Sequence, residues 1–97
     1  MTNLFLVDGQ NNLITPCLET SGVEGVCRQY ILQNAHHWQQ QVYVKKVSLD
    51  MLARAKEVFV ANSVNGVWPV VVCDQYRWAV GNVTRMIQNK VADVLNG

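Results

Sequence analysis

The chain has 97 residues, enough for one small domain and not for two. Hydrophobic residues make up 49% and charged residues only 15%, against about 25% charged in ordinary domains, which hints at a surface that meets a partner. A formal charge of +1 argues against an electrostatic nucleic-acid binder. No apolar run approaches the roughly 20 residues of a membrane span, and Met1-Thr2-Asn3-Leu4-Phe5 lacks the basic region of a secretory signal. Cys17, Cys27 and Cys73 are widely spaced and form no Cys-x-x-Cys pair. They read as small buried side chains in a reducing compartment.

Leu4-Phe5-Leu6-Val7 predicts a strand, Asp8-Gly9 a turn and Leu13-Ile14 the returning strand, which Thr15-Pro16 ends. Val23, Val26, Cys27, Tyr30, Ile31, Asn34 and Trp38 recur at helical spacing as one largely apolar face. Ser21-x-x-Glu24 fits a capping box at the start of that helix, with Gly22 and Gly25 in its first turn. A strand over 41–47 follows, then a short helix over 49–55 capped by Ser48, then a strand from Glu57 to Ala61 entering a polar turn at Asn62-Ser63. The apolar run from Val67 to Cys73 predicts a strand covered on both faces, with Pro69 at its start or at a bulge. Asp74-Gln75-Tyr76 reads as a turn. Val83, Met86, Ile87, Val91, Val94 and Leu95 mark a final amphipathic helix. The fold class is mixed α/β, with no internal repeat and no linker.

Three segments, in order, carry a resemblance. They are Asn3-Leu4-Phe5-Leu6-Val7-Asp8-Gly9 with Leu13-Ile14-Thr15-Pro16, then Ser21 to Gln29, then Glu57-Val58-Phe59-Val60-Ala61-Asn62-Ser63 with Val67-Trp68-Pro69-Val70. Together they resemble the C-terminal domain of the class IV aminotransferase family, the fold-type IV pyridoxal-phosphate enzymes. The resemblance implies a mixed sheet or partial barrel packed with about three helices. It implies pyridoxal 5'-phosphate as cofactor, a small-molecule substrate, a homodimer and a cytoplasmic enzyme. Arg28-Gln29 at the end of the second segment and Asn62 in the third are similar to the lyase members. Those release pyruvate from 4-amino-4-deoxychorismate to leave 4-aminobenzoate, on the route to folate. A D-amino-acid or branched-chain aminotransferase is the alternative within the family. The other alternative is an inactive module that self-associates through its sheet, suggested by the low charge and by Val70-Val71-Val72.

In the family, the cofactor-bearing lysine and the glutamate facing the pyridine nitrogen precede the Asn-Leu-Phe strand. Residues 1–97 are therefore expected to be the C-terminal, phosphate-binding part of a longer enzyme, without a catalytic residue of their own. The resemblance assigns the cofactor phosphate to the backbone N–H groups of Val26 and Cys27 and to the Ser63 hydroxyl. It leaves the N–H groups of Val64 and Asn65 for the substrate carboxylate. From the residue pattern alone, the first place is an ordinary capped helix and the second a polar hairpin turn. Arg28 reads as an ion-pairing or hydrogen-bonding residue directed elsewhere. Lys45-Lys46 reads as an exposed strand end and not as the cofactor lysine. His36-His37 reads as a solvated helix end, because adjacent helical residues do not face the same side, and no metal site is expected.

Overall fold

The computed structural model describes residues 2–17, 25–62, 64–73 and 75–96. Thr2–Val7 forms β1 and Leu13–Thr15 forms β2, joined by a turn that Asp8 organises. The Asp8 Oδ1 accepts from the N–H of Gln10 at 2.8 Å and of Asn12 at 2.9 Å, an aspartate stapling its own turn. Helix α1 (Val26–Asn34) and a 3₁₀ turn (Ala35–Trp38) lead to β3 (Val42–Val44). Helix α2 (Leu49–Arg54) is capped as expected, Ser48 Oγ accepting from the Met51 N–H at 3.1 Å. β4 (Glu57–Asn62) and β5 (Gly66–Pro69) form a hairpin, β6 (Val72–Cys73) and β7 (Tyr76–Arg77) a second one, and α3 (Asn82–Asn96) follows.

Five strands make one mixed sheet in the order β3-β2-β1-β4-β5. β1 lies between β2 and β4, antiparallel to both, and β2 pairs in parallel with β3. That parallel pair requires a crossover, and α1 supplies it. The crossover lays α1 on one face of the sheet, where α3 joins it. The core on that face contains Phe5, Val7, Leu13, Cys27, Ile31, Phe59, Ala61, Val67, Val83, Ile87 and Val91. At its centre the cross-strand partners Phe5 and Phe59 stack with centroids 5.0 Å apart. The opposite face buries Leu6, Ile14, Val58 and Trp78 beneath Met51 and Leu52 of α2. The Trp78 Nε1–H donates to the Leu52 carbonyl at 3.1 Å, which ties the segment after β7 to α2. The architecture is the expected mixed α/β fold with a mixed sheet and three helices.

Four expectations need correction. The run from Val67 to Cys73 is not one strand covered on both faces. β5 ends at Pro69, one further bond runs from the Val70 N–H to the Val58 carbonyl at 2.8 Å, and Val71 and Val72 are 46% and 53% exposed. Cys73, beyond them on β6, is exposed as well; Cys17 is half-buried and Cys27 is buried. The strand expected over 41–47 shortens to Val42–Val44, and Val44 is itself exposed at the edge of the sheet. In α3 the buried positions are Val83, Ile87 and Val91, four apart, while Val94 is exposed and the Leu95 side chain lies outside the described residues.

The start of α3 is held by a buried acid. Glu57 at the head of β4 is buried, and its Oε1 accepts from the Thr84 N–H at 2.7 Å. The carboxylate thus occupies the positive end of the helix. Gly81 makes room for it: a Cβ there would lie 2.2 Å from the Glu57 Cδ. Gly81→Ala is expected to cost about 3 kcal/mol, the upper end for overpacking a filled site. Thermal denaturation should read this as a midpoint lowered by roughly 12–24 °C for a chain of this size. Burial pushes the Cys27 thiol above its ordinary value, and the Asn62 backbone N–H partly opposes the shift. Folded Cys27 therefore holds its proton more tightly than the unfolded chain, so its contribution to stability is lost as the pH rises past the unfolded thiol's value. Alkylation with iodoacetamide at pH 8 should modify Cys73 first and Cys27 last; equal rates would contradict this placement.

Candidate functional site

Strand direction gathers one end of the sheet under the start of α1. β2 and β4 both run antiparallel to β1, so their C-terminal ends lie beside the N-terminal end of β1. In open α/β sheets, ligands bind at the carboxyl ends of strands, where helix N-termini converge. Thr2 pairs with Asn62 and Asn3 with Ala61, which fixes the turn after β4 at this edge.

α1 begins later than a capping box at Ser21 and Glu24 would place it, and those two residues lie outside the described ones. Its N-cap is Gly25, with φ −71° and ψ 151°, an extended conformation that any residue adopts. Among the described residues no side chain caps the helix, and its first turn contains no acidic residue. The N–H groups of Val26 and Cys27 belong to the first turn, where no intrahelical acceptor exists. Val26 is not on the apolar face: its side chain is 71% exposed, leaving the helix end uncovered. Cys27 turns inward, and its sulfur faces the backbone N–H of Asn62. The first turn of α1 and the end of β4 are thereby in contact.

The turn after β4 is tightly organised. The Asn62 Oδ1 accepts from the Val64 N–H at 2.7 Å and from the Asn65 N–H at 3.4 Å, while its Nδ2 donates to Thr2 Oγ1 at 3.0 Å. The Trp68 Nε1–H donates to the Asn65 carbonyl at 3.2 Å, and Gly66 closes the turn at φ 78°, where a side chain would be strained. Ser63 lies outside the described residues. The two amides singled out from the sequence in this turn are thus engaged by Asn62, a role that the residue pattern did not disclose. An Asn at the first position of a turn is the signal that could have found it.

Other residues fall away from this edge. Arg28 is buried and its guanidinium donates to Thr15 Oγ1 at 3.4 Å and to the Pro16 carbonyl at 3.1 Å, which directs it to β2. Lys45 and Lys46 are exposed, and the Lys45 Nζ lies 5.7 Å from the centre of the Tyr43 ring. His36 and His37 are exposed on the 3₁₀ turn, and among the described residues no cluster of three His, Cys, Asp or Glu could hold a metal. Among them, too, no helix is long and apolar enough to cross a membrane. A cleft of about 280 Å³ opens at the other end of β1, lined by Leu6, Asp8, Ile14, Lys45, Met51 and Arg54 among others. It contains none of the candidate site residues.

The family profile described as amino-transferase class IV matches residues 1–73. The curated aminodeoxychorismate lyase of Vibrio harveyi is 34% identical over 95 residues, covering 94% of this chain and 35% of its own length. The crystal structure of 4-amino-4-deoxychorismate lyase from Pseudomonas aeruginosa superposes with a TM-score of 0.91 at 38% identity, over 100% of this chain and 36% of that one. The branched-chain amino acid aminotransferase of Escherichia coli superposes with a TM-score of 0.87 at 28% identity, over 97% of this chain and 32% of its own. The chain thus spans about a third of each relative's length, the part that carries the uncapped helix and the Asn62 turn, and it belongs to the class IV aminotransferase family.

Proposed function

We propose that residues 1–97 are the cofactor-phosphate-binding domain of a 4-amino-4-deoxychorismate lyase. The enzyme in this reading makes 4-aminobenzoate and pyruvate on the route to folate, in the cytoplasm. The observation that carries the proposal is the first turn of α1, which no described side chain caps, which is free of acidic residues and which is in contact with the end of β4. A phosphate dianion suits such a place because two helical N–H groups and the positive helix end point the same way. Val26 and Cys27 would bind the phosphate of pyridoxal 5'-phosphate through their amides, and Ser63 would add its hydroxyl. The identity to the Vibrio harveyi and Pseudomonas aeruginosa lyases, 34% and 38% against 28% for the Escherichia coli aminotransferase, supports the choice within the family.

Pyridoxal phosphate, when bound, supplies the electron sink for the bond cleavage. This chain's part is to bind and orient. The Val64 and Asn65 amides would receive the substrate carboxylate. Both already donate to Asn62 Oδ1, so an incoming carboxylate takes the place of a carboxamide oxygen in a turn shaped for an acceptor. The bond from Asn65, at 3.4 Å, is the weaker and yields first. The lysine that moves protons belongs, in this reading, to a preceding domain. The proposed homodimer draws support from the exposed Trp68, Val71 and Val72, which give the chain apolar surface to cover.

The whole protein should release pyruvate from 4-amino-4-deoxychorismate; transfer of an amino group to a keto acid without pyruvate release would exclude the lyase. Ser63→Ala should weaken pyridoxal phosphate binding by roughly 10- to 100-fold, the loss of one hydrogen bond to a charged group. Titrating the cofactor against activity measures that shift. Light scattering on the purified protein should give twice the mass of one chain, and a monomer at high concentration would count against the dimer.

A further inference from the structure

We infer that Asn3 is the positioning residue of the candidate phosphate cup, holding the first turn of α1 over the ends of β1 and β4 through the Gly25 amide. This rests on the reading of Val26 and Cys27 as phosphate donors. Asn3 is only 7% exposed, a polar side chain set among the apolar positions of β1. Its Oδ1 accepts from the Gly25 N–H at 3.1 Å. Gly25 is the N-cap, so its amide lies outside the helical ladder, and the sheet supplies the acceptor.

A second tether acts on the other side of the same two residues. Arg28 donates from α1 to Thr15 Oγ1 and to the Pro16 carbonyl, and the Thr15 hydroxyl in turn donates to the Leu4 carbonyl at 2.8 Å. Thr15 and Arg28 are both buried. Val26 and Cys27 are thus bracketed. The residue before them is tied to β1 and the residue after them to β2, each by a buried polar side chain. Of the two tethers, Asn3 is the one that also fixes distance to the turn after β4. Its strand partner is Ala61, the neighbour of Asn62. One residue therefore links the start of α1 to the end of β4. Removing its carboxamide lets the helix start move relative to β4 while leaving Val26, Cys27 and Ser63 themselves unchanged.

The test uses the 97-residue chain, ¹⁵N-labelled and titrated with inorganic phosphate, with the amide signals of Val26 and Cys27 as readout. Asn3→Ala should weaken phosphate binding about tenfold, as the loss of one hydrogen bond predicts. It should also speed hydrogen exchange at the Gly25 amide. Asn3→Asp, which keeps an acceptor at that place, should restore the Gly25 protection. Val91→Ala, a core truncation in α3, controls for stability and should leave the phosphate affinity unchanged. If Asn3→Ala does not fold, the wild-type chain still answers: a scalar coupling across the hydrogen bond from the Gly25 nitrogen to the Asn3 side-chain carbonyl is expected, and its absence overturns the inference. Equal phosphate affinity in wild type and Asn3→Ala also overturns it, while the phosphate reading stands. Val26 and Cys27 signals that ignore phosphate in the wild type would overturn both.

Discussion

Six consecutive register pairs join β1 to β4, from Thr2 with Asn62 to Val7 with Glu57, and almost every other feature of the chain is placed by them. The pairing sets Phe5 directly against Phe59, and the stacked rings form the floor on which α1 and α3 pack. A side-chain period of two means that a slip by one residue would move Phe5, Val7, Phe59 and Ala61 to the opposite face. Truncating a ring of this kind typically costs about 3–5 kcal/mol, a large share of what a small domain has. The same register brings the end of β4 beside the start of β1, so the core and the candidate site are specified by one interaction.

On that frame the buried polar residues divide into two groups at opposite ends of the central strands. Asn3, Thr15 and Arg28 serve the start of α1, whereas Glu57 and Thr84 serve the start of α3. Both helices thus have their positive ends attended by groups from the sheet, but in different ways. The α3 end receives a full carboxylate from inside the chain. The α1 end receives a neutral carboxamide one residue earlier, and its first turn contains no acidic residue. That contrast favours α1 over α3 as the place for the proposed phosphate.

Much of this could be read from the sequence because the signals were local or strongly periodic. The hairpin at Asp8-Gly9, the Ser48 cap and the Val83-Ile87-Val91 stripe depend on residues within a turn or two of one another. The sequence motifs also carried the family, since their order along the chain follows the order of the strands and the crossover helix. What misled was chemistry that depends on distant partners. Val70-Val71-Val72 has the composition of a covered strand, but β5 ends before it, and Val70 packs on the core while Val71 and Val72 stand exposed. Val26 has helical spacing with Cys27 and Tyr30, yet it stands at the helix start and faces outward. The bond from Gly25 to Asn3 spans 22 residues and the bond from Thr84 to Glu57 spans 27, separations at which no spacing rule operates.

The contact between Glu57 and Gly81 has a consequence for how related sequences can differ. A carboxylate at position 57 is compatible only with a residue at 81 that has no side chain, since the first added carbon would stand 2.2 Å from the acid. Position 81 therefore cannot drift alone, whereas a shorter residue at 57 releases it and deprives the Thr84 amide of its acceptor. Substitution must pass either through both positions together or through an intermediate that is overpacked or uncapped. Among relatives, the two sites should change as a pair, with glycine at 81 retained wherever glutamate stands at 57.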